Sequence, residues 1–488
     1  MRKSFSDQKR FDCDAIENVT LNLDCRDEII PILAALQHVY SKPEVRDQIV
    51  TLIAQDVNQD SRRDIGREGL EDWQILVLAS VRLGCNLDYD KLQDLAEQHR
   101  ALRHIMGIGD WDDKTSFNWR RIRNTLCLLK KETIDKISQL VVAEGHAIDP
   151  EATKQVRADS FVVETNIHYP TESSLILDGM RKIIPLCAVL ATQFNLDGWR
   201  QHEHLLRKIR NITITISRIS SGKDPKNEKR IKKEYQKLFK RALKVFDRAE
   251  NLVNQLQDQE ADITTLCKIA DLNRFMELTK QVCGTAYRRV VFGETVPNND
   301  KLLSLFETHT QLYRRGKQAK PNQFGRLTMV YEDGAGFITH YYIMPRDVQD
   351  ADVAVQQTRI VQNRHAGQIE DASFDRGFYS RENEDQLKEI IKHPCLPKKA
   401  PREFQEQKQT ASIRFHKTRQ RHPGIESAIG AMQSGNGLQR CRDRSEIGFE
   451  RYIALGILGR NLHVLGKLLI QQQSPNANAA QTRRKPAA

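Results

Sequence analysis

The chain has 488 residues, 39% of them hydrophobic and 29% charged, with 76 Lys and Arg against 64 Asp and Glu for a formal net charge of +12. It is longer than one ordinary domain, and a basic excess of this size suits a polyanionic partner, because each neutralised phosphate releases counterions. The nine cysteines form no C-x-x-C pair, no apolar run reaches 18 residues, and MRKSFSDQKRFD leads into no apolar signal region; these absences argue against a zinc ribbon, a membrane span and a secretory leader, and for free thiols in a reducing cytoplasm.

Residues 1–150 read as a helical N-terminal domain. Asp72 to Leu83 has the apolar density of a mostly buried helix. Asn86-Leu87-Asp88 punctuates it, Tyr89 to Leu102 resumes a helical pattern, and Thr115-Ser116-Phe117-Asn118-Trp119 opens a helix carrying Arg120, Arg121 and Arg123. That basic helix suits either DNA contact or a solvated face. The aromatics Trp73, Trp111 and Trp119 read as core. The first good strand spans 156–168, rich in Val156, Phe161, Val162, Val163 and Ile167. It stops at Tyr169-Pro170, and Thr171-Glu172-Ser173-Ser174 looks like a capped helix start.

Helical pattern fills about 175–310. Ile231, Leu238, Val245 and Leu252 repeat every seven residues, as do Tyr235, Ala242, Ala249 and Leu256 offset by four. This is an a/d seam, flanked by lysines and arginines, and it suits a solvated helical hairpin or a DNA-contacting arm. Runs 326–331 and 337–344 flank Glu332-Asp333-Gly334-Ala335-Gly336, a strong hairpin signal. A helix over 351–366, a strand over 369–375, a polar basic loop over 393–422 and helices over 423–434 and 446–471 follow. The tail from Gln472 is polar and ends on Arg483, Arg484 and Lys485, a composition expected to be disordered. The pattern predicts a mixed α/β fold: a first core segment at 151–180, a helical insertion at 181–320 with the heptad seam, and the rest of the core at 321–471.

Three carboxylates occupy places suited to a metal site: Asp159 in the first strand, Asp375 at the end of a later strand before Arg376-Gly377, and Glu426 near the start of a helix after Pro423-Gly424. Two Mg²⁺ or Mn²⁺ ions need such hard oxygen ligands with open positions for water and phosphate, and then serve phosphodiester hydrolysis and strand transfer alike. With 64 acidic residues in the chain, spacing alone does not select this triad.

From about residue 60 to 470 the chain resembles bacterial insertion-sequence transposases with a ribonuclease-H-like DDE core, particularly the ISNCY group. The block from Asp159 to Ser173, DSFVVETNIHYPTES, is similar to that family's first-aspartate signature, and Phe374-Asp375-Arg376-Gly377-Phe378-Tyr379-Ser380 to its second. Gly424-Ile425-Glu426-Ser427-Ala428-Ile429-Gly430, followed by Gly437 to Arg442, resembles the glutamate helix and its basic extension. Gly66-Arg67-Glu68-Gly69-Leu70 resembles the lead into the family's helical N-terminal domain. The resemblance implies a DNA transposase that binds terminal inverted repeats and target DNA, with Asp159, Asp375 and Glu426 as catalytic metal ligands. It implies a homodimer or larger synaptic assembly in the bacterial cytoplasm, associated with the nucleoid. Relatives often carry a lysine seven residues past the glutamate, where this chain has Gln433.

Arg376 and Arg421, beside the expected ligands, and Arg440 and Arg442, after a flexible Gly435-Asn436-Gly437, are further candidates for DNA phosphates. Glu164 faces away from Asp159 in a strand, Glu172 suits a helix start, His168 and His340 suit surface or packing roles, and Asp371 can share a face with Asp375. Two other classes stay open: a transposase-derived DNA-binding protein that no longer cuts, and a helical scaffold built on the heptad seam.

Overall fold

The computed structural model describes all residues except 1–11, 59–68, 113, 223, 225, 258, 315–320 and 474–488. The Gly66-Arg67-Glu68 segment and the expected tail from 474 on lie outside the described residues, whereas Gln472 and Gln473, expected in the tail, end a helix. The chain divides into two compact units, Met1–Asn166 with Arg326–Ala488, and Ile167–Gly325.

The first unit opens with helices α1 (Ile29–Tyr40), α2 (Pro43–Val57), α3 (Asp72–Gly84), α4 (Tyr89–Gln98), α5 (Arg100–Ile105), α6 (Trp119–Leu126) and α7 (Lys131–Ile148), then strand β1 (Gln155–Glu164). The pattern expected to run from Tyr89 through Leu102 is broken at His99, whose Nδ1 accepts from the Leu102 N–H at 3.1 Å and so starts α5. Asn118 does the same for α6, accepting from the Arg120 N–H at 2.9 Å, so that helix begins later than Thr115. β1 ends at Glu164, four residues before His168, because the chain there gives up strand pairing.

The second unit holds α8 (Glu172–Gln193), α9 (His202–Ser220), α10 (Asn227–Leu256), α11 (Ile263–Val291) and β2 (Gln311–Tyr313). Thr171 caps α8 by accepting from the Ser174 N–H. The heptad residues Tyr235, Leu238, Ala242, Val245, Ala249, Leu252 and Leu256 are all buried. They join residues of α8, α9 and α11 in one apolar core, so the seam serves packing within this unit.

β3 (Gln323–Asp333) and β4 (Ile338–Ile343) form the expected antiparallel hairpin. Asp333 Oδ1 closes it by accepting from the N–H groups of Ala335, Gly336 and Phe337. Glu332 and Asp333 belong to the strand rather than the turn, with a register shift at Tyr331/Glu332. Then come α12 (Asp350–Arg364), β5 (Asp371–Phe374), α13 (Arg381–Ile390), β6 (His393–Cys395), α14 (Pro401–Thr410), α15 (Ile413–Arg421), α16 (Gly424–Gly435) and α17 (Glu446–Gln473). Residues 393–422, expected as a loop, thus carry a strand and two helices. Phe404 is the buried residue of α14 and Thr418 that of α15, too little apolar surface to print a helical period on the sequence.

In the first unit the sheet runs β3-β1-β5-β6, with β4 also paired to β3; β2 pairs with Gln323–Gly325 inside the second unit. β1 and β5 pair in parallel, as do β5 and β6. One face meets α12, where Tyr331 Oη lies 2.9 Å from Thr358 Oγ1. On the other, Phe161, Val163 and Val330 join Ile425 of α16 and much of α17 in a core shared with α1, α3 and α7. The N-terminal helices therefore share one core with the sheet rather than forming a domain of their own. α17 is long and apolar enough to cross a membrane by length and composition, although no unbroken apolar run marks it; 67% of that window is buried inside the protein, the place of a core helix. Its close fit to α3 rests on Gly459, where an added Cβ would lie 2.7 Å from the backbone of Gly84. The fold is mixed α/β and mostly helical.

Candidate active site

β1 and β5 pair in parallel with Gln155 opposite Asp371, Val156 opposite Ala372, Arg157 opposite Ser373 and Ala158 opposite Phe374. One step further, Asp159 falls opposite Asp375. Asp375 is still extended, with φ −79° and ψ 166°, before the turn at Arg376–Phe378. Neighbouring strands lie about 4.8 Å apart and directly opposed side chains share a face. The two aspartates therefore fall side by side on one face, Asp375 just past the C-terminal end of β5 and Asp159 midway along β1. Asp159 is half-buried and Asp375 exposed. Asp159 Oδ1 accepts from the Ser160 N–H at 2.7 Å.

The same face carries Gln155, Arg157, Asp371 and Ser373, because side chains alternate along a strand. The junction of α15 and α16 lies across it. His422 Nδ1 is 3.1 Å from Ser373 Oγ, and Arg157 Nη1 donates to the Arg421 carbonyl at 3.0 Å. Burial pushes the His422 imidazole down to about 4, against the attraction of Asp375, so it is neutral near neutral pH. α16 then runs along β1 with Ile425, Ala428, Ile429 and Met432 buried. That spacing fixes which side of the helix meets the strand. Glu426 sits in the first turn, exposed, where the helix dipole favours a negative charge.

Arg157 locks these pieces together. Its guanidinium also meets Glu332 Oε2 of β3 at 2.7 Å and lies so close to Gly424 that a Cβ there would be 1.9 Å from Nη1. Burial pushes the Glu332 carboxyl up to about 7, with Arg157 and Arg460 pulling the other way. Arg157, Glu332, Ser373 and His422 were not among the sequence candidates. The period of two from Asp159 to Arg157 is the one signal that marks the arginine, whereas Glu332 read as part of a turn.

Among the described residues, no three His, Cys, Asp or Glu side chains are gathered closely enough to hold a metal ion. Asp159 and Asp375 thus share a face of the sheet and Glu426 lies in the first turn of the helix packed on β1, without the three forming a closed ligand set. Their oxygen donors are of the type that Mg²⁺ or Mn²⁺ takes.

The remaining candidates separate. Arg421 reaches Gln155, the first residue of β1 and about 13 Å from Asp159 at some 3.3 Å per residue; it lines a polar cleft of about 390 Å³ with Arg157, Asp371 and Ser373. It does not stand beside the acids as expected. Arg376 stacks over Phe404 at 4.3 Å. Arg440 is exposed and 3.4 Å from Glu164, which takes the structural part expected of it: its N–H donates to the Gln439 carbonyl and its own carbonyl accepts from the Cys441 N–H. Arg442 is exposed yet engaged, donating to Tyr452 Oη at 3.0 Å and Asn86 Oδ1 at 2.9 Å. Asp371 pairs with Arg414 at 2.7 Å. Arg120, Arg121 and Arg123 are exposed on α6, with Arg120 and Arg123 stacked over Trp119. Trp73 is buried as expected, but Trp111 is 77% exposed, which removes it from the core. His340 is buried against Gln357 at 2.8 Å. In the second unit, Glu172 pairs with Arg289, and His168 lies 3.5 Å from Asp178.

No protein-family model, curated protein or solved structure matches this chain.

Proposed function

We propose that the chain is a DNA transposase of the DDE class, cutting at the ends of a mobile element and joining them to target DNA. The observation that carries the proposal is the parallel β1–β5 register, which, continued one step beyond Ala158 and Phe374, brings Asp159 opposite Asp375. Glu426, in the first turn of a helix packed on β1, is the third member. The order of strand, long helical excursion, hairpin, helix and strand supports reading the sheet as the ribonuclease-H-like core that the resemblance implies.

Asp159, Asp375 and Glu426 would hold the metal. Mg²⁺ or Mn²⁺, bound as a pair, would supply activation of the attacking oxygen and stabilisation of the leaving one. The two aspartates offer ligands fixed by the sheet. Glu426 offers one from a helix end anchored by Arg157 through the Arg421 carbonyl and Gly424. Arg440, beside Glu164, and the arginines of α6, two of them over Trp119, are exposed on the surface where they could meet phosphates. Two element ends have to be handled together, so a homodimer or larger assembly on duplex DNA is part of the proposal, in the cytoplasm with the nucleoid.

The open ligand set favours one second reading, a transposase-derived DNA-binding protein that no longer cuts. The test incubates the full chain with duplexes carrying the sequences that flank its reading frame, with Mg²⁺ or Mn²⁺. The enzyme reading expects metal-dependent nicking that Asp159→Asn, Asp375→Asn and Glu426→Gln abolish while leaving binding nearly intact. Binding without nicking selects the second reading, and nicking by Asp159→Asn at the wild-type rate removes the site assignment.

A further inference from the structure

The face of α10 opposite its buried seam carries Lys229, Lys233, Lys237, Lys240 and Lys244, all exposed. At about 100° per residue these five fall within an arc of roughly 80°, and at 1.5 Å per residue they extend over about 22 Å. No carboxylate interrupts the arc between Lys229 and Lys244; Glu234 stands at its margin, 2.6 Å from Lys237 Nζ, and Asp247 closes it. Among the described residues, Lys229, Lys233, Lys240 and Lys244 have no ion-pair partner. The adjoining helix α9 adds exposed Arg207, Lys208, Arg210 and Arg218. Residues 204–246 hold fourteen Lys and Arg against three Asp and Glu, a net of +11 beside +12 for the whole chain. The whole hairpin, residues 202–256, holds fifteen Lys and Arg against six Asp and Glu, a net of +9, about three quarters of the basic excess of the chain.

A ridge of unpaired cations repels itself and persists at a cost unless a polyanion relieves it. We propose that the α9–α10 hairpin is a DNA-backbone surface, its lysine ridge lying along the phosphates of a duplex without reading bases. One strand passes a phosphate about every 3.4 Å of axis, so the ridge runs past about six of them. A membrane surface is the weaker partner: a helix that lies on lipid presents its apolar face to it, and that face of α10 is buried against α8, α9 and α11. Lysine rather than arginine fits the task, since a point charge on a flexible stem holds phosphate without bidentate base recognition. The inference rests on the proposed function for the identity of the polyanion.

The test compares the full wild-type chain with a variant carrying Lys229→Gln, Lys233→Gln, Lys240→Gln and Lys244→Gln, and with the matching four Lys→Arg changes. The probe is a mixed-sequence duplex of about 40 base pairs, titrated by fluorescence anisotropy at several salt concentrations. At about 0.9 per phosphate contact, the slope of log affinity against log salt should flatten by roughly 3 to 4 in the Gln variant and stay unchanged in the Arg variant. The four side chains are exposed, so melting should not move. An unchanged slope in the Gln variant overturns the proposal, as does preferential loss of binding to phosphatidylserine vesicles rather than to the duplex. Metal-dependent nicking by the wild type is read separately: its absence defeats the enzyme reading and leaves the ridge standing, whereas nicking with an unchanged Gln-variant slope does the reverse.

Discussion

Replacing Arg157 by alanine should destabilise the first unit by an amount that depends on pH. The guanidinium stands 2.7 Å from Glu332, whose side chain is 3% exposed. Burial already pushes that carboxyl up to about 7 with Arg157 in place. The folded carboxyl holds its proton to about pH 7, while an unfolded one releases it near 4.5. Glu332 therefore favours the fold most in acid and withdraws that support as pH rises through 7. Without Arg157, a buried carboxylate is left with Arg460 alone among its favourable charges, and its escape is to take up a proton. Breaking a buried pair from one side costs about 3–5 kcal/mol, and the low end applies because Arg460 remains. The lost hydrogen bond to the Arg421 carbonyl adds about 1 kcal/mol. In acid the wild-type carboxyl is already protonated, so the charge penalty disappears. Proton uptake caps the charge part at about 1.4 kcal/mol per pH unit above 7, so the expected loss is about 3 kcal/mol near pH 8.5 and about 1 kcal/mol near pH 5.5. Urea unfolding of both proteins at the two pH values measures it, followed by the fluorescence of Trp73, Trp111 and Trp119. A loss equal at both values, or greater in acid, would refute the picture of Arg157 as the group that keeps Glu332 partly ionised.

Gly424→Ala should cost about 1–3 kcal/mol by driving the Arg157 guanidinium off its partners, and almost nothing once Arg157 is alanine; additive losses in that double-mutant cycle would detach Gly424 from Arg157. Burial pushes His340, His365 and His463 each down to about 4. Their unfolded forms take up protons near 6.5, so stability should rise with pH between 4 and 6.5 by up to about 1.4 kcal/mol per unit per histidine, opposed by Glu332 and Glu450, whose carboxyls burial raises. A melting temperature that does not fall between pH 7.5 and 5 would contradict the burial of these rings. Gly459→Ala should lower the melting temperature by several degrees, since its Cβ meets the Gly84 backbone rather than a movable side chain; an unchanged melt would mean that α3 and α17 part freely. Arg440→Ala should flatten the salt slope of DNA binding by about 1, and an unchanged slope would take it off the DNA surface.

Much of the fold was legible because its elements follow periods that burial imposes. The β1 run, the hairpin around Gly334 and the heptad of α10 all bury one side, and each stands out in the sequence. α14 and α15 did not, since Phe404 and Thr418 are nearly all they bury. At the site, Asp159 and Asp375 were legible as residues but not as neighbours. Their adjacency comes from strand pairing across more than 200 positions, which no local pattern encodes. Arg157 and Glu332 were missed for a related reason. A buried ion pair looks like two ordinary surface charges until the sheet brings β3 beside β1.

The pairing of α17 with α1 and α3 has a consequence for how the protein is made. The stretch Ile167–Gly325 is contiguous and can close as soon as it leaves the ribosome. α1, by contrast, packs on a helix that follows it by some 400 residues. At about 5–20 residues per second, its apolar side waits roughly 20 to 90 s for that partner to be synthesised. Nascent chains should accordingly lean on chaperones throughout translation, and premature stop codons anywhere before α17 should yield products that proteases clear rather than shorter working proteins.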